Sequence, residues 1–143
     1  RTGPADGALA PLTIKAGVLG NDRALSVSPA HRVLIEGWKA EALYGQREVL
    51  ATARQLTVRD DVFAVEGGEV EYFHLLFADH EVIYGDGVPS ESYYPGSDLC
   101  PEAQEARDEA SALFPELSHL QQTECMTART VARKTEAVLL LAA

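Results

Sequence analysis

Cysteine is scarce in this chain of 143 residues: Cys100 in "DLCPE" and Cys125 in "TECMT" are the two. They form no C-x-x-C pair and no histidine flanks either one, so a zinc site, which needs four ligands, has no local nucleus. A disulfide between them is open but unsupported, and two unpaired thiols is the plainer reading. Long apolar runs are also lacking. The most apolar stretch, "AVLLLAA", has seven residues, where roughly 20 are needed to cross a bilayer. It reads as an element that packs on a core, and membrane insertion is not expected. Positive charge is short as well: 12 Lys and Arg stand against 22 Asp and Glu, a formal net charge of −10. With no basic cluster to offset it, such a surface repels nucleic acid, which is excluded as a partner. The acidic excess otherwise fits solubility or a salty milieu and names no substrate. No signal peptide is visible, and the opening "RTGPADGALAP" lacks a methionine, as the interior of a longer protein would.

What is present suits one globular domain. Hydrophobic residues make up 46% of the chain, enough for a core. From Pro11 to about Tyr94 the pattern is mostly β. "PLTIKA" reads as a strand followed by the turn chemistry of "GVLGND". "ALSVSPAHRVLI" reads as a strand, a break at Pro29 and a second strand. "REVLATARQL" spaces Val49, Leu50, Ala53 and Leu56 as a short amphipathic helix. "DVFAV" and "EVEYFHLLF" flank Gly67–Gly68 and read as a hairpin. In the second arm Val70, Tyr72, His74 and Leu76 share one face, and Glu69, Glu71, Phe73, Leu75 and Phe77 the other. "HEVIYG" is a further strand ending at the turn "GDG". From Ser97 the character changes. Ser97 or Asp98 is a candidate cap, Pro101 lies near the first helical position, and Ala103, Ala106, Ala110 and Leu113 make an apolar stripe that Pro115 closes. "KTEAVLLLAA" fits helix better than strand. The division is therefore a β-rich body over residues 1–96 and a helical C-terminal extension over 97–143 packed on it.

The candidate site residues follow from that layout. Proline removes a backbone donor and fixes φ, so the ladder is interrupted at Pro29, between Ser28 and His31. His31 shares a face with Val33 and Ile35, which turns the imidazole inward. With a free pKa near 6.5 it is a natural general acid and base at neutral pH. Ser28 has a hydroxyl that can anchor the same target. From pattern alone a satisfied core histidine is the commoner outcome. His74 is a candidate second buried hydrogen-bonding group, and His80 opens the next strand, where catalytic assistance and a structural role weigh equally. His74, His80, Asp79 and Asp86 lack the spacing of a metal site. His119 reads as solvated. Trp38, Tyr72, Phe73, Phe77 and Tyr84 read as core rather than as a ligand platform.

"SPAHRVL" resembles the T/S-x-x-H block of the Hint superfamily, shared by Hedgehog autoprocessing domains and inteins; its Thr-Pro-Ala-His form is typical of Hedgehog proteins. The wider "PLTIKAGVLGN…LSVSPAHRVL" is similar to bacterial Hint domains of the Hint_2 kind. "EYFHLLFADHEVIYGDGVPSESYYPG" resembles the closing block of the same superfamily. "ALFPEL" and "TARTVARKTEAVLL" look like the tail that often follows bacterial Hint_2 domains.

The resemblance implies a mainly β, horseshoe-like Hint fold, cut short at its N-terminus and carrying a helical C-terminal appendix. It also implies self-directed chemistry without a cofactor: an N-terminal Cys or Ser attacks the preceding carbonyl, and the amide becomes a thioester or ester. Carried onto this chain, His31 protonates the leaving nitrogen, Ser28 is its hydrogen-bonding companion, and His80 and His74 are assisting residues. Two departures stand out. The nucleophile block, a Cys or Ser opening a Gly-Thr strand, is expected upstream of Arg1, because Cys100 and Cys125 follow both recognised blocks. The closing His-Asn of inteins is absent from "GVPSESYY", where Ser90, Glu91 and Ser92 stand, so splicing is not expected. The expected partners are flanking segments of the same polypeptide, including a missing N-terminal fragment, within a larger secreted or surface bacterial protein. The alternatives are a Hint-derived scaffold that only binds, and a hydrolase acting in trans.

Overall fold

The computed structural model describes residues 2–73, 75, 77, 80–93 and 127–141. His74, Asp79, His119, both cysteines and the helix expected after Ser97 lie outside the described residues. The described part is mainly β, as expected, with its strands in three antiparallel sheets. Strand β1 (Thr2–Pro4) pairs with β7 (Glu69–Glu71). Strand β2 (Leu12–Ile14) lies between β3 (Leu25–Val27) and β6 (Val62–Ala64). The largest sheet runs β5 (Glu48–Thr52), β4 (Arg32–Glu36), β9 (Val88–Glu91), β8 (Val82–Gly85). Helix α1 (Trp38–Tyr44) links β4 to β5, and the single turn α2 (Ala53–Leu56) follows β5. Helix α3 (Lys134–Leu141) closes the described chain.

The helix expected over "REVLATARQL" is a strand followed by one helical turn. Val49, Leu50 and Ala51 are all buried, the pattern of a strand covered on both faces. Their partner is β4, in an unbroken register from Arg32↔Thr52 to Glu36↔Glu48. Helical spacing was present, but the ladder offered by β4 satisfies these backbone groups and decides the outcome. The helix starts only at Ala53. There Gln55 Oε1 accepts the Thr52 backbone N–H at 2.8 Å and the Thr52 hydroxyl at 3.1 Å.

The hairpin expected across Gly67–Gly68 is also different. Strands β6 and β7 do not pair with each other. Strand β6 joins β2 with Thr13↔Phe63, and β7 joins β1 with Gly3↔Val70. Both glycines have positive φ, at 104° and 77°, which lets the chain swing from one sheet to the other. Ala5 fastens that crossing through its N–H to Gly68 O and its carbonyl to Gly67 N–H.

Four aromatic residues expected in the core are on the surface. Phe73 is 82% exposed, and Phe77, Trp38 and Tyr84 are exposed too. Trp38 begins α1, whose inward residue is Ala40, and Tyr84 sits near the tip of the β8–β9 hairpin. Phe73 and Phe77 come after β7, which ends at Glu71. Tyr72 is half-buried, and its hydroxyl donates to Leu9 O at 2.8 Å. Burial pushes the Tyr72 phenol above its ordinary pKa, which keeps that donor protonated.

The core gathers Ile14, Val33, Val49, Leu50, Leu56 and Val88. Ala132, Ala137 and Leu140 from the C-terminal segment belong to the same buried cluster. That segment also covers the free edge of β5. Leu50 N–H donates to Thr130 O at 2.8 Å, and Ala132 N–H to Leu50 O at 2.7 Å, an isolated parallel bridge with Val131. Gln55 Nε2 adds a bond to Ala132 O at 3.1 Å. An edge strand that would otherwise present unpaired amides is thereby closed.

Candidate functional site

The break at Pro29 is a tight turn with a physical cause. Pro29 pre-sets φ for the second position of a β-turn, and His31 N–H closes it on Ser28 O at 3.0 Å. The turn is then pinned from below. The first N–H groups of α2 have no partner within their own helix, and they find it here. Ala53 N–H donates to His31 O at 2.7 Å and Arg54 N–H to Pro29 O at 3.0 Å. Pro29 is buried, while Ser28 and His31 are half-buried. Two proton-handling side chains are therefore presented from a turn whose backbone is fixed on both sides.

The inward direction inferred for His31 from Val33 and Ile35 is not decided by those neighbours. Leu34, on the opposite face of β4, is buried as well, so both faces are covered at that point. The half-burial of His31 is the direct observation.

The structure adds a polar group beside the turn. Val33 pairs with Ser90 across β4 and β9, and one step towards His31 a buried ion pair joins the two strands. Arg32 Nη1 donates to Glu91 Oε2 at 2.7 Å. Glu91 Oε1 faces His80 Nε2 at 3.4 Å. That same Nε2 lies 3.1 Å from Ser92 O. A carbonyl oxygen only accepts, so Nε2 carries the proton. Ser92, buried, takes the Glu81 N–H on its Oγ at 3.0 Å and gives its own N–H to Glu81 O at 2.9 Å. Tyr93 N–H donates to Leu75 O at 2.8 Å, which places Leu75 beside the end of β9.

Of the expected site residues, Ser28 and His31 are thus held on one turn. Glu91, which pairs with Arg32 directly after His31, also faces His80. His74 lies outside the described residues. Asp86 does not join His80: it sits at the far end of β8, at the hairpin tip, where its carboxylate accepts Arg23 Nε at 2.9 Å. Arg32 and Glu91 are the residues that sequence reasoning passed over. Their signal was faint, a lone Arg after the histidine and a lone acid between two serines, because only the β4–β9 pairing makes them neighbours.

The described body is mainly β, and its Ser-x-x-His turn leads directly into β4, the strand that pairs with the β8–β9 hairpin at Val33↔Ser90. A family model for the Hint domain matches residues 1–97, more than half of the chain, and the chain belongs to that family. No curated protein and no solved structure gives a significant match.

Proposed function

We propose that this chain is the histidine-bearing part of an autoprocessing Hint domain, which cleaves a peptide bond of its own polypeptide through an N-to-S or N-to-O acyl shift. The nucleophile is a Cys or Ser in a segment encoded before Arg1. Its sulfur or oxygen adds to the carbonyl carbon of the preceding peptide bond. The C–N bond then breaks, and the acyl group stays on sulfur or oxygen. His31 supplies the proton that the departing nitrogen takes up and receives the one that the nucleophile gives, so the step is neutral. An amide nitrogen leaves poorly unless protonated, and a positioned acid of this kind contributes about 10²–10⁴ in rate. Ser28 is the hydrogen-bonding companion of the scissile amide. Water or another nucleophile then takes the acyl group, and no cofactor is required.

The observation that carries this reading is the pinned turn. Its backbone is fixed by one internal bond and two bonds from α2, which is more restraint than a mere connection between β3 and β4 needs. The test is the product of the whole reading frame, incubated with hydroxylamine or a thiol and followed by intact mass. Cleavage before the upstream Cys or Ser, accelerated by either reagent, supports the proposal. An unchanged mass overturns it.

A second reading is favoured by one observation. Phe73, Leu75 and Phe77 are all exposed, large apolar side chains of the kind that a scaffold that only binds a partner would present. An unchanged mass in the same experiment is the outcome that this reading expects.

A further inference from the structure

Arg32, His80 and Glu91 bring three ionisable side chains into a region with little water; the Glu91 side chain is 4% exposed. Taking charges out of water is costly, and a well-packed apolar pair of the same volume usually holds a fold equally well. Adhesion alone therefore does not account for the group. Its position does. Strands β4 and β5 share a ladder along their full length, and so do β8 and β9. The seam between β4 and β9 has a single register pair, Val33↔Ser90. On the His31 side of that pair the described seam is fastened by side chains: Arg32 Nη1 to Glu91 Oε2 at 2.7 Å, with Glu91 Oε1 turned to His80. A charge-assisted bond of that length fixes direction as well as distance.

We infer that Glu91 is a positioning residue: its carboxylate ties the start of β4, and with it His31, to the β8–β9 hairpin that carries His80. This rests on the reading of His31 as the proton donor and deepens it. The turn that bears His31 is held by its own backbone bonds and β4 by its ladder with β5, so what the Arg32–Glu91 bridge sets is where the β8–β9 hairpin and His80 lie relative to the imidazole of His31. His80, held by Ser92 O, keeps the hairpin's own end rigid while Glu91 bridges the seam.

The test compares Glu91→Gln and the double variant Arg32→Met/Glu91→Leu with the unaltered protein. The double variant replaces the ion pair by apolar groups of similar size, so its Tm stays within a few degrees. Cleavage by the full reading frame is expected to slow at least tenfold in both variants. In the 143-residue chain, the ring signals of His31 in nitrogen-15 NMR are expected to shift and broaden in both. A folded double variant that cleaves at the unaltered rate, or unperturbed His31 signals in both variants, overturns the inference. The two readings fail separately: unimpaired cleavage by His31→Ala removes the function proposed for His31, whereas an inert His31→Ala beside a fully active double variant removes only the role of Glu91.

Discussion

Leu140→Ala tests how the C-terminal segment holds the β body. Leu140 is 5% exposed and shares the buried cluster with Ala53 and Leu56 of α2. Truncating a core leucine loses its transfer free energy and leaves a cavity, for a cost of about 2–5 kcal/mol. Leu140 lies near the end of a short helix, where neighbours relax more easily, which argues for about 2–3 kcal/mol. In a chain of this size that corresponds to a fall in Tm of about 10 °C. The adjacent Leu139 supplies the control. It is 56% exposed on the same helix, so Leu139→Ala is expected to stay within about 0.5 kcal/mol of the unaltered protein. Urea unfolding followed by far-UV circular dichroism measures both. Equal effects of the two substitutions, or a loss below about 0.5 kcal/mol for Leu140→Ala, would refute the packing of α3 described above.

Other expectations follow from the same structure. Pro29→Ala frees the unfolded chain at the second position of the turn and is expected to cost about 0.4–1 kcal/mol in denaturant unfolding, with faster amide exchange at His31. Alkaline pH should loosen the C-terminal segment. Burial first, and then its bond to Glu136, raise the Tyr44 phenol above its ordinary value near 10, and the Tyr44 oxygen also accepts the Arg133 N–H at 3.2 Å. A raised value means that the folded state favours the neutral phenol. The stability it contributes is whole below about pH 10 and is lost as the pH climbs through the raised value. Tyr44→Phe should flatten that alkaline loss, and a pH series of thermal melts reads it.

The parts legible in the sequence were those fixed by local chemistry. The break at Pro29, the turn at "GDG" and the strands beside them depend on proline φ, glycine φ and alternation, and each stands where expected. What failed depended on partners. Val49 to Leu56 carries helical spacing, yet β4 took its first half as a strand, a choice that only a distant segment could make. Gly67–Gly68 has hairpin chemistry, but both flanking strands had better partners in β2 and β1. Trp38 and Phe73 read as core by residue type, whereas Trp38 stands at a helix start and Phe73 beyond the end of β7, and both are exposed. The site divides in the same way. Ser28 and His31 are close in sequence and could be read directly, while Arg32 and Glu91 stand 59 residues apart and meet only through the β4–β9 seam.

The rate of self-cleavage in the full reading frame, measured by intact mass for the unaltered protein and for His31→Ala, puts the question most sharply. A loss of about 10²-fold or more in an alanine variant that unfolds at the unaltered temperature is the predicted result. Equal rates in the two proteins would contradict the assignment of the pinned turn as the place where the departing nitrogen receives its proton.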